Sequence, residues 1–281
     1  MILIADSGSS KTDWAYFDKS TNKFKIIRTI GLNPYFIDSK RIIEELNSSS
    51  DLLKISKSIT KIFFYGAGCT EDSKKNIIFD SLNSFFLDSD IYIEHDILGA
   101  CLSVKSKKTS INCILGTGSI SCIFNGKEIE VSVPSLGFIL GDEGSGNYFG
   151  KKILNLYMTN QLPRNLKTNF EKNFDISYEK IMTNVYHSER PNFFLSTFFP
   201  FLAKNQTDPY ISNILKNGLL DFLNIHVFSI PNFKDYDINF FGSVSLILKD
   251  KLIEILSEKK CKIGSFVDKP IIGLCNYHYK K

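Results

Sequence analysis

The sequence predicts an α/β fold in two lobes, with mixed sheets flanked by helices and a cleft between the lobes. Three observations carry this. An apolar run at the N-terminus is turned by small residues into a second apolar-alternating run, and the same design returns at Ile111. Strands alternate with helix-spaced segments, which implies sheets covered by helices. The length of 281 residues exceeds the needs of one small core and fits two domains of ordinary size.

Taken in order, residues 2–5 form a strand, 6–12 a small-residue turn and 13–18 the returning strand of a hairpin. Helical spacing follows over 40–46 and 73–86. Strands over 62–65 and 91–94 each lead into a segment bearing Gly or Asp and then into helix. The second hairpin runs 111–115, then Gly116 to Ser119, then 120–124, and closes on Asn125-Gly126. Beyond Gly150 the pattern is mainly helical, over 151–159, 177–186, 193–204 and 210–228. One further strand, 238–241, runs through Gly242-Ser243-Val244-Ser245 into a helix over 246–259. The repeat places a first lobe at 1–109 and a second at 110–267, with a C-terminal helix at about 268–281 packing back on the first.

Composition narrows the function. The hydrophobic fraction of 43% and the charged fraction of 23% are those of a packed globular chain. The net charge of +4 is dispersed, with short clusters at 105–108 and 259–262 and no basic run able to track a phosphate backbone, so nucleic acid is not an expected partner. Six cysteines, Cys69, Cys101, Cys113, Cys122, Cys261 and Cys275, form no Cys-x-x-Cys pair and follow no secretory signal. They read as reduced thiols in the cytoplasm. The most apolar stretch, 193–203, is too short to span a membrane and is broken by Pro200.

Several constellations can carry chemistry. In the first turn, Gly8, Ser9, Ser10, Lys11 and Thr12 gather backbone N–H groups and hydroxyls on one point, which suits phosphate oxygens, and Asp6 at the strand end can hold a hydrated Mg²⁺. Gly116, Thr117, Gly118 and Ser119 repeat that supply of donors. Each alone is also an ordinary hairpin turn, and the duplication is what favours a nucleotide. Asp96, after the strand at 91–94, is either a helix N-cap or a general base at the carboxyl end of a strand. His95 beside it reads as a packing or surface residue. The segment 134–147 carries Asp142 and Glu143 among Gly137, Gly141, Gly144 and Gly146. A capping turn explains its carboxylates, whereas its glycines suggest backbone pressed close to a ligand whose hydroxyls Asp142 can bind. Gly242 and Ser243 form either a tight turn or a wall for adenine and phosphate, and Asn33 is by default a turn residue.

In that order, Asp6-Ser-Gly-Ser-Ser-Lys-Thr12, Gly31-Leu-Asn33, Tyr65-Gly-Ala-Gly68, Glu94-His-Asp96, Leu115-Gly-Thr-Gly-Ser119, Leu136 to Gly146 and Gly242-Ser-Val-Ser245 resemble the N-acetylglucosamine kinases of the BadF/BadG ATPase group. The resemblance covers nearly the whole chain, and Leu140-Gly-Asp-Glu-Gly-Ser145 is its most specific part. It implies two ribonuclease-H-like lobes of the actin-like ATPase kind, with ATP and Mg²⁺ in the cleft and a small-molecule sugar as partner. By the same resemblance Asp96 is the base for the sugar 6-hydroxyl, and Asn33, Ser119 and Asp142 contact the sugar. Gly137 and Gly146 lie near the sugar and its acetamido arm, Ser10 and Thr117 touch phosphates, Asp6 organises Mg²⁺ and Gly242 packs on adenosine. A homodimer is compatible with it. Three departures stand out: Ser7 and Ser9 replace frequent glycines, Ile120 replaces a frequent Asn, and the cluster cysteines of dehydratase activators are missing.

Overall fold

The computed structural model describes residues 1–104 and 108–279. Most of the basic cluster at 105–108 therefore lies outside the described residues. The chain divides into two compact units, one made of Met1–Lys108, Phe124–Ile129 and Lys269–Lys281, the other of Thr109–Ile123 and Glu130–Asp268.

In the first unit the elements follow as β1 (Ile2–Ser7), β2 (Lys11–Asp18), β3 (Lys23–Ile30), α1 (Ser39–Ser48), α2 (Ser50–Ile55), β4 (Lys61–Gly66), α3 (Asp72–Phe85), β5 (Asp90–His95) and α4 (Asp96–Ser103). The sheet order is β3-β2-β1-β4-β5, with β1 antiparallel to β2 and parallel to β4. Leu3, Ile4 and Ala5 are fully buried, as a central strand covered on both faces requires. Trp14, Phe64 and Phe86 anchor the core on one face, with the Trp14 and Phe64 rings 5.9 Å apart.

The second unit holds β6 (Ser110–Leu115), β7 (Ser119–Phe124), β8 (Ile129–Glu130), α5 (Gly137–Leu140), α6 (Gly146–Met158), α7 (Arg164–Asn173), α8 (Tyr178–Tyr186), α9 (Pro191–Ser196), α10 (Phe199–Lys204), α11 (Pro209–His226), β9 (Asp237–Phe241), α12 (Ser243–Ile247), α13 (Lys249–Glu258) and β10 (Lys262–Val267). Its sheet order, β10-β9-β6-β7-β8, repeats that of the first unit strand for strand. The chain ends with α14 (Pro270–Tyr279), which packs on α4 and β1 of the first unit. There the Tyr279 hydroxyl donates to the Ile2 carbonyl and accepts from Phe17 N–H at 3.2 Å.

Beyond β3, α2, β8, α5 and α7, where no element is expected, three elements differ from the sequence expectation. The helix expected over 193–204 is two helices, because Pro200 has no N–H to donate and the Ser196 and Thr197 hydroxyls bond backbone carbonyls at the break. The helix expected from 246 starts at Ser243 and is interrupted at Leu248. Strand β10 has no strand-like alternation in its sequence. Its irregular register is held from β9, where the Asn239 amide oxygen accepts Ser265 N–H at 2.8 Å beside Gly264.

Candidate active site

In the first unit the turn after β1 is closed by Gly8 N–H donating to the Lys11 carbonyl at 3.0 Å. Behind it runs a chain of buried hydroxyls. Thr12 Oγ1 donates to the Ile30 carbonyl (2.9 Å), Ser7 Oγ lies 2.8 Å from Thr12 Oγ1, and Ser7 Oγ accepts Leu32 N–H at 3.1 Å. The loop from Gly31 to Asn33 lies directly on the turn, since a Cβ at Gly31 would come within 2.5 Å of the Ser9 backbone. Asn33 is 8% exposed, and its amide joins the two segments: Nδ2 donates to Ser9 Oγ (3.1 Å) and Oδ1 accepts Tyr35 N–H (3.0 Å).

At the junction of β5 and α4 the helix cap is His95, whose Nδ1 accepts Ile97 N–H at 3.4 Å. The capping account of Asp96 therefore falls away. Asp96 is the first residue of α4, where the positive end of the helix dipole favours its charge. Its Oδ1 is buried and accepts no hydrogen bond among the described residues, although His95 Nδ1 lies 3.2 Å away. Burial raises the Asp96 carboxyl above the usual range, against the pull of His95 and nearby N–H groups. Asp6 is pushed up to about 7, by burial first and then by the negative charges of Asp96 and Asp13, with Lys11 opposing. Two desolvated carboxylates thus lie within each other's field. Among the described residues no group of three or more His, Cys, Asp or Glu is gathered for a metal. A hard oxygen donor such as the Asp6 carboxylate suits Mg²⁺, which keeps most of its waters and takes phosphate oxygens as further ligands.

In the second unit Gly116 N–H donates to the Gly118 carbonyl at 3.0 Å to form the turn, and no atom lies within 4 Å of the place a Gly116 Cβ would take. The turn is clamped by residues 142–147. Asp142 Oδ1 accepts Ser119 N–H (3.0 Å) and Oδ2 accepts from Asn147 Nδ2 (2.6 Å). Ser119 Oγ donates to the Glu143 carbonyl (2.8 Å), Gly146 N–H to the Gly116 carbonyl (2.8 Å) and Asn147 N–H to the Thr117 carbonyl (3.0 Å). Asp142 holds a left-handed backbone, φ 60°, a strained conformation for a residue with a side chain. The network over-determines it.

A solved candidate N-acetylglucosamine kinase from Porphyromonas gingivalis is 35% identical, with a TM-score of 0.89 over 100% of this chain and 99% of that one. The chain belongs to the N-acetylglucosamine kinase family. A curated Clostridium acetobutylicum relative, named N-acetylmuramic acid/N-acetylglucosamine kinase, is 30% identical over 203 residues, and the match spans 66% of this chain and 64% of that relative. A ROK-family glucokinase from Streptomyces griseus, solved with glucose and AMPPNP, shares the fold at 12% identity and a TM-score of 0.58 over 98% of this chain. No family profile matches the chain.

Against this family background, several expected site residues turn out to build the frame. The Thr12 side chain is fully buried and committed to Ile30, so its hydroxyl holds the turn and is not offered to a nucleotide. Ser7, in place of a frequent glycine, does the same from the other side. The Lys11 ammonium pairs with Asp13 at 3.1 Å, which Arg28 also grips at 2.7 Å. Gly146 is buried against the Gly116 carbonyl and Ser196, so its lack of a side chain serves the protein's own packing and not an acetamido arm. Gly118 makes room for the Asp142 carboxylate, 2.8 Å from where its Cβ would stand. Gly242, at φ 94°, lies against the Leu115 carbonyl, while Ser243 beside it is exposed. Gly137, at φ 69°, has open space around it at the start of α5. Gly8, Ser9, Ser10, Gly116 and Thr117 are half-buried at the two turns. Sequence reasoning passed over Asn147 and set His95 aside. Only the place of Asn147 at the end of the glycine-rich segment and that of His95 beside Asp96 marked them.

Proposed function

We propose that this chain phosphorylates an amino sugar with ATP, taking N-acetylglucosamine at its 6-hydroxyl as the first acceptor. One observation carries the reading: a desolvated aspartate, Asp96, with a hydrogen-bond-free oxygen, lies in the field of Asp6 at the head of a hydroxyl-rich turn. Burial raises the basicity of Asp96 toward that needed to accept a hydroxyl proton. The turn at Gly8, Ser9 and Ser10 holds phosphate oxygens through backbone N–H and hydroxyl groups. Gly116 and Thr117 supply the matching turn of the second unit, where the missing Gly116 side chain lets phosphate approach the backbone. Asn33 and Asp142, each fixed by protein partners in its own unit, orient sugar hydroxyls, and the open space at Gly137 leaves room for a ligand.

Asp6 would hold Mg²⁺ through water, and the ion would supply positive charge to the phosphates as the γ-phosphoryl leaves. The rest is positioning. Asp96 takes the proton of the attacking hydroxyl while the turns keep donor and acceptor aligned. The name of the curated relative favours N-acetylmuramic acid as the second acceptor to test.

The test is an ADP-release assay with ATP and each of N-acetylglucosamine, N-acetylmuramic acid, glucosamine and glucose, alongside thermal shifts with each sugar. N-acetylglucosamine is expected to give the fastest turnover and to raise the melting temperature by mass action. Nucleotide binding without sugar-dependent ADP release from any amino sugar would replace the kinase with a nucleotide-driven sensor.

A further inference from the structure

Resting on the reading of Asp96 as base, we propose that His95 receives the proton that Asp96 removes from the acceptor and passes it to solvent. The geometry sets one ring nitrogen between two uses. His95 Nδ1 lies 3.4 Å from Ile97 N and 3.2 Å from Asp96 Oδ1. A neutral imidazole nitrogen carries either a proton or a lone pair, never both. Since Ile97 N–H donates to it, Nδ1 presents its lone pair in the resting chain. That lone pair is within reach of a proton arriving on Oδ1, the oxygen that has no hydrogen bond among the described residues. The hydrogen bond to Ile97 is long and readily exchanged for a shorter one from a carboxylic acid. The His95 side chain is 14% exposed and that of Asp96 15%, so neither is sealed from solvent.

The other groups facing Asp96 are poorer exits. Asp6 of β1 is directed to phosphate and Mg²⁺ in the proposed function. The Cys69 thiol, pushed up to about 12 by burial and by the Asp96 charge, already holds its proton. Glu94 is tied to Lys75 at 3.2 Å.

In the transfer the acceptor oxygen forms its bond to the γ-phosphorus as the bond from that phosphorus to the bridging oxygen of ADP breaks. The O–H electron pair stays on the acceptor oxygen and the proton moves to Asp96. The Oδ1–H bond then breaks as Nδ1–H forms, giving an imidazolium. This ion loses one proton to water and returns through solvent to the tautomer that caps α4, leaving Asp96 ionised for the next cycle.

His95→Ser tests this, because serine caps helices well yet carries no proton between Asp96 and water. In the sugar-dependent ADP-release assay it is expected to lower kcat by roughly 10²-fold, the low end of what a positioned proton-transfer group contributes. KM for both substrates and the melting temperature should hold, and added imidazole should restore part of kcat. A parental kcat in His95→Ser overturns the relay, as does a loss that imidazole does not repair. Should His95→Ser fold poorly, His95→Asn, also a capping residue, runs the same test. Asp96→Asn in the same assay separates the two readings. If Asp96→Asn is inactive and His95→Ser is unimpaired, only the relay falls; if Asp96→Asn turns over normally, the base falls and the relay with it.

Discussion

The turn after β1 is braced by hydroxyls and by a loop pressed onto it, whereas the turn after β6, at the same place in an identical strand order, is clamped by the Asp142 carboxylate and by backbone N–H groups of Gly146 and Asn147. Charge follows the same division. Asp6, Asp13, Lys11 and Asp96 lie around the first turn, where burial raises the Asp6 and Asp96 carboxyls while Asp13, despite burial, is held low by Arg28 and Lys11. Around the second, Asp142 already accepts a hydrogen bond on each oxygen from its own unit. The two units share a strand order, and what differs is how each turn is braced and which charged groups lie beside it.

The largest expected effect tests that division at its centre. Asp96→Asn should lower kcat by roughly 10²–10⁴ with little change in KM for ATP, read in steady-state kinetics. An unimpaired kcat would dissolve the distinction between the two turns.

Next comes pH. Asp6 sits at about 7 in the folded chain against an ordinary 3.8, so folding favours its protonated form. Stability from this group is complete below about pH 4 and is lost as pH rises toward 7. Each pKa unit is worth about 1.4 kcal/mol, so the nucleotide-free chain should lose on the order of a few kcal/mol across that window. Asp6→Asn should make the profile shallower in urea melts taken at several pH values, while Asp96 and Asp142, also raised by burial, keep part of the slope. At the second turn burial raises Asp142 against its two hydrogen bonds, so a residual slope is expected in Asp6→Asn, and a slope undiminished from the parent would remove Asp6 as its source.

Gly31→Ala forces a methyl group into the Gly8 and Ser9 backbone and should destabilise by about 1–3 kcal/mol, visible as a lower urea midpoint. Asp142→Asn sets an amide where two N–H donors converge and should cost a similar ~1–3 kcal/mol while raising KM for ATP more than it lowers kcat. The smallest change in stability is expected of Gly116→Ala, within about 0.5 kcal/mol, because nothing stands in the way of the methyl. Its effect should appear as weaker ATP binding. If instead it unfolds the chain, Gly116 is a packing residue like Gly31.

Much of this was open to reading in the sequence, because it rests on local spacing. The repeated hairpins, the order of the motifs and the strand that delivers Asp96 are written in alternation and in turn residues, which act over a few positions. Strand β10 was not, since Gly264 and Ser265 break its pattern and Asn239 of another strand repairs it. At the site, the sequence supplied the residue types and the tertiary structure assigned their duties. Several glycines in 137–146 looked like room for a ligand, yet Gly144 and Gly146 make room for Phe222 and Gly116 of the same protein. A missing side chain looks the same in a sequence whether ligand or backbone occupies the space.

By itself, then, the sequence determined the family, the doubled α/β design and the presence of an aspartate at the end of β5, since periodicity and motif order survive without coordinates. Only the tertiary structure decided that Thr12 and Ser7 belong to the frame, that His95 rather than Asp96 caps α4, and that Asp6 and Asp96 share a field. The cap turns on which of two neighbouring side chains meets Ile97 N–H. The Ile30 and Leu32 partners of Thr12 and Ser7, and the burial that joins Asp6 to Asp96, come from segments distant in the chain that no local pattern encodes.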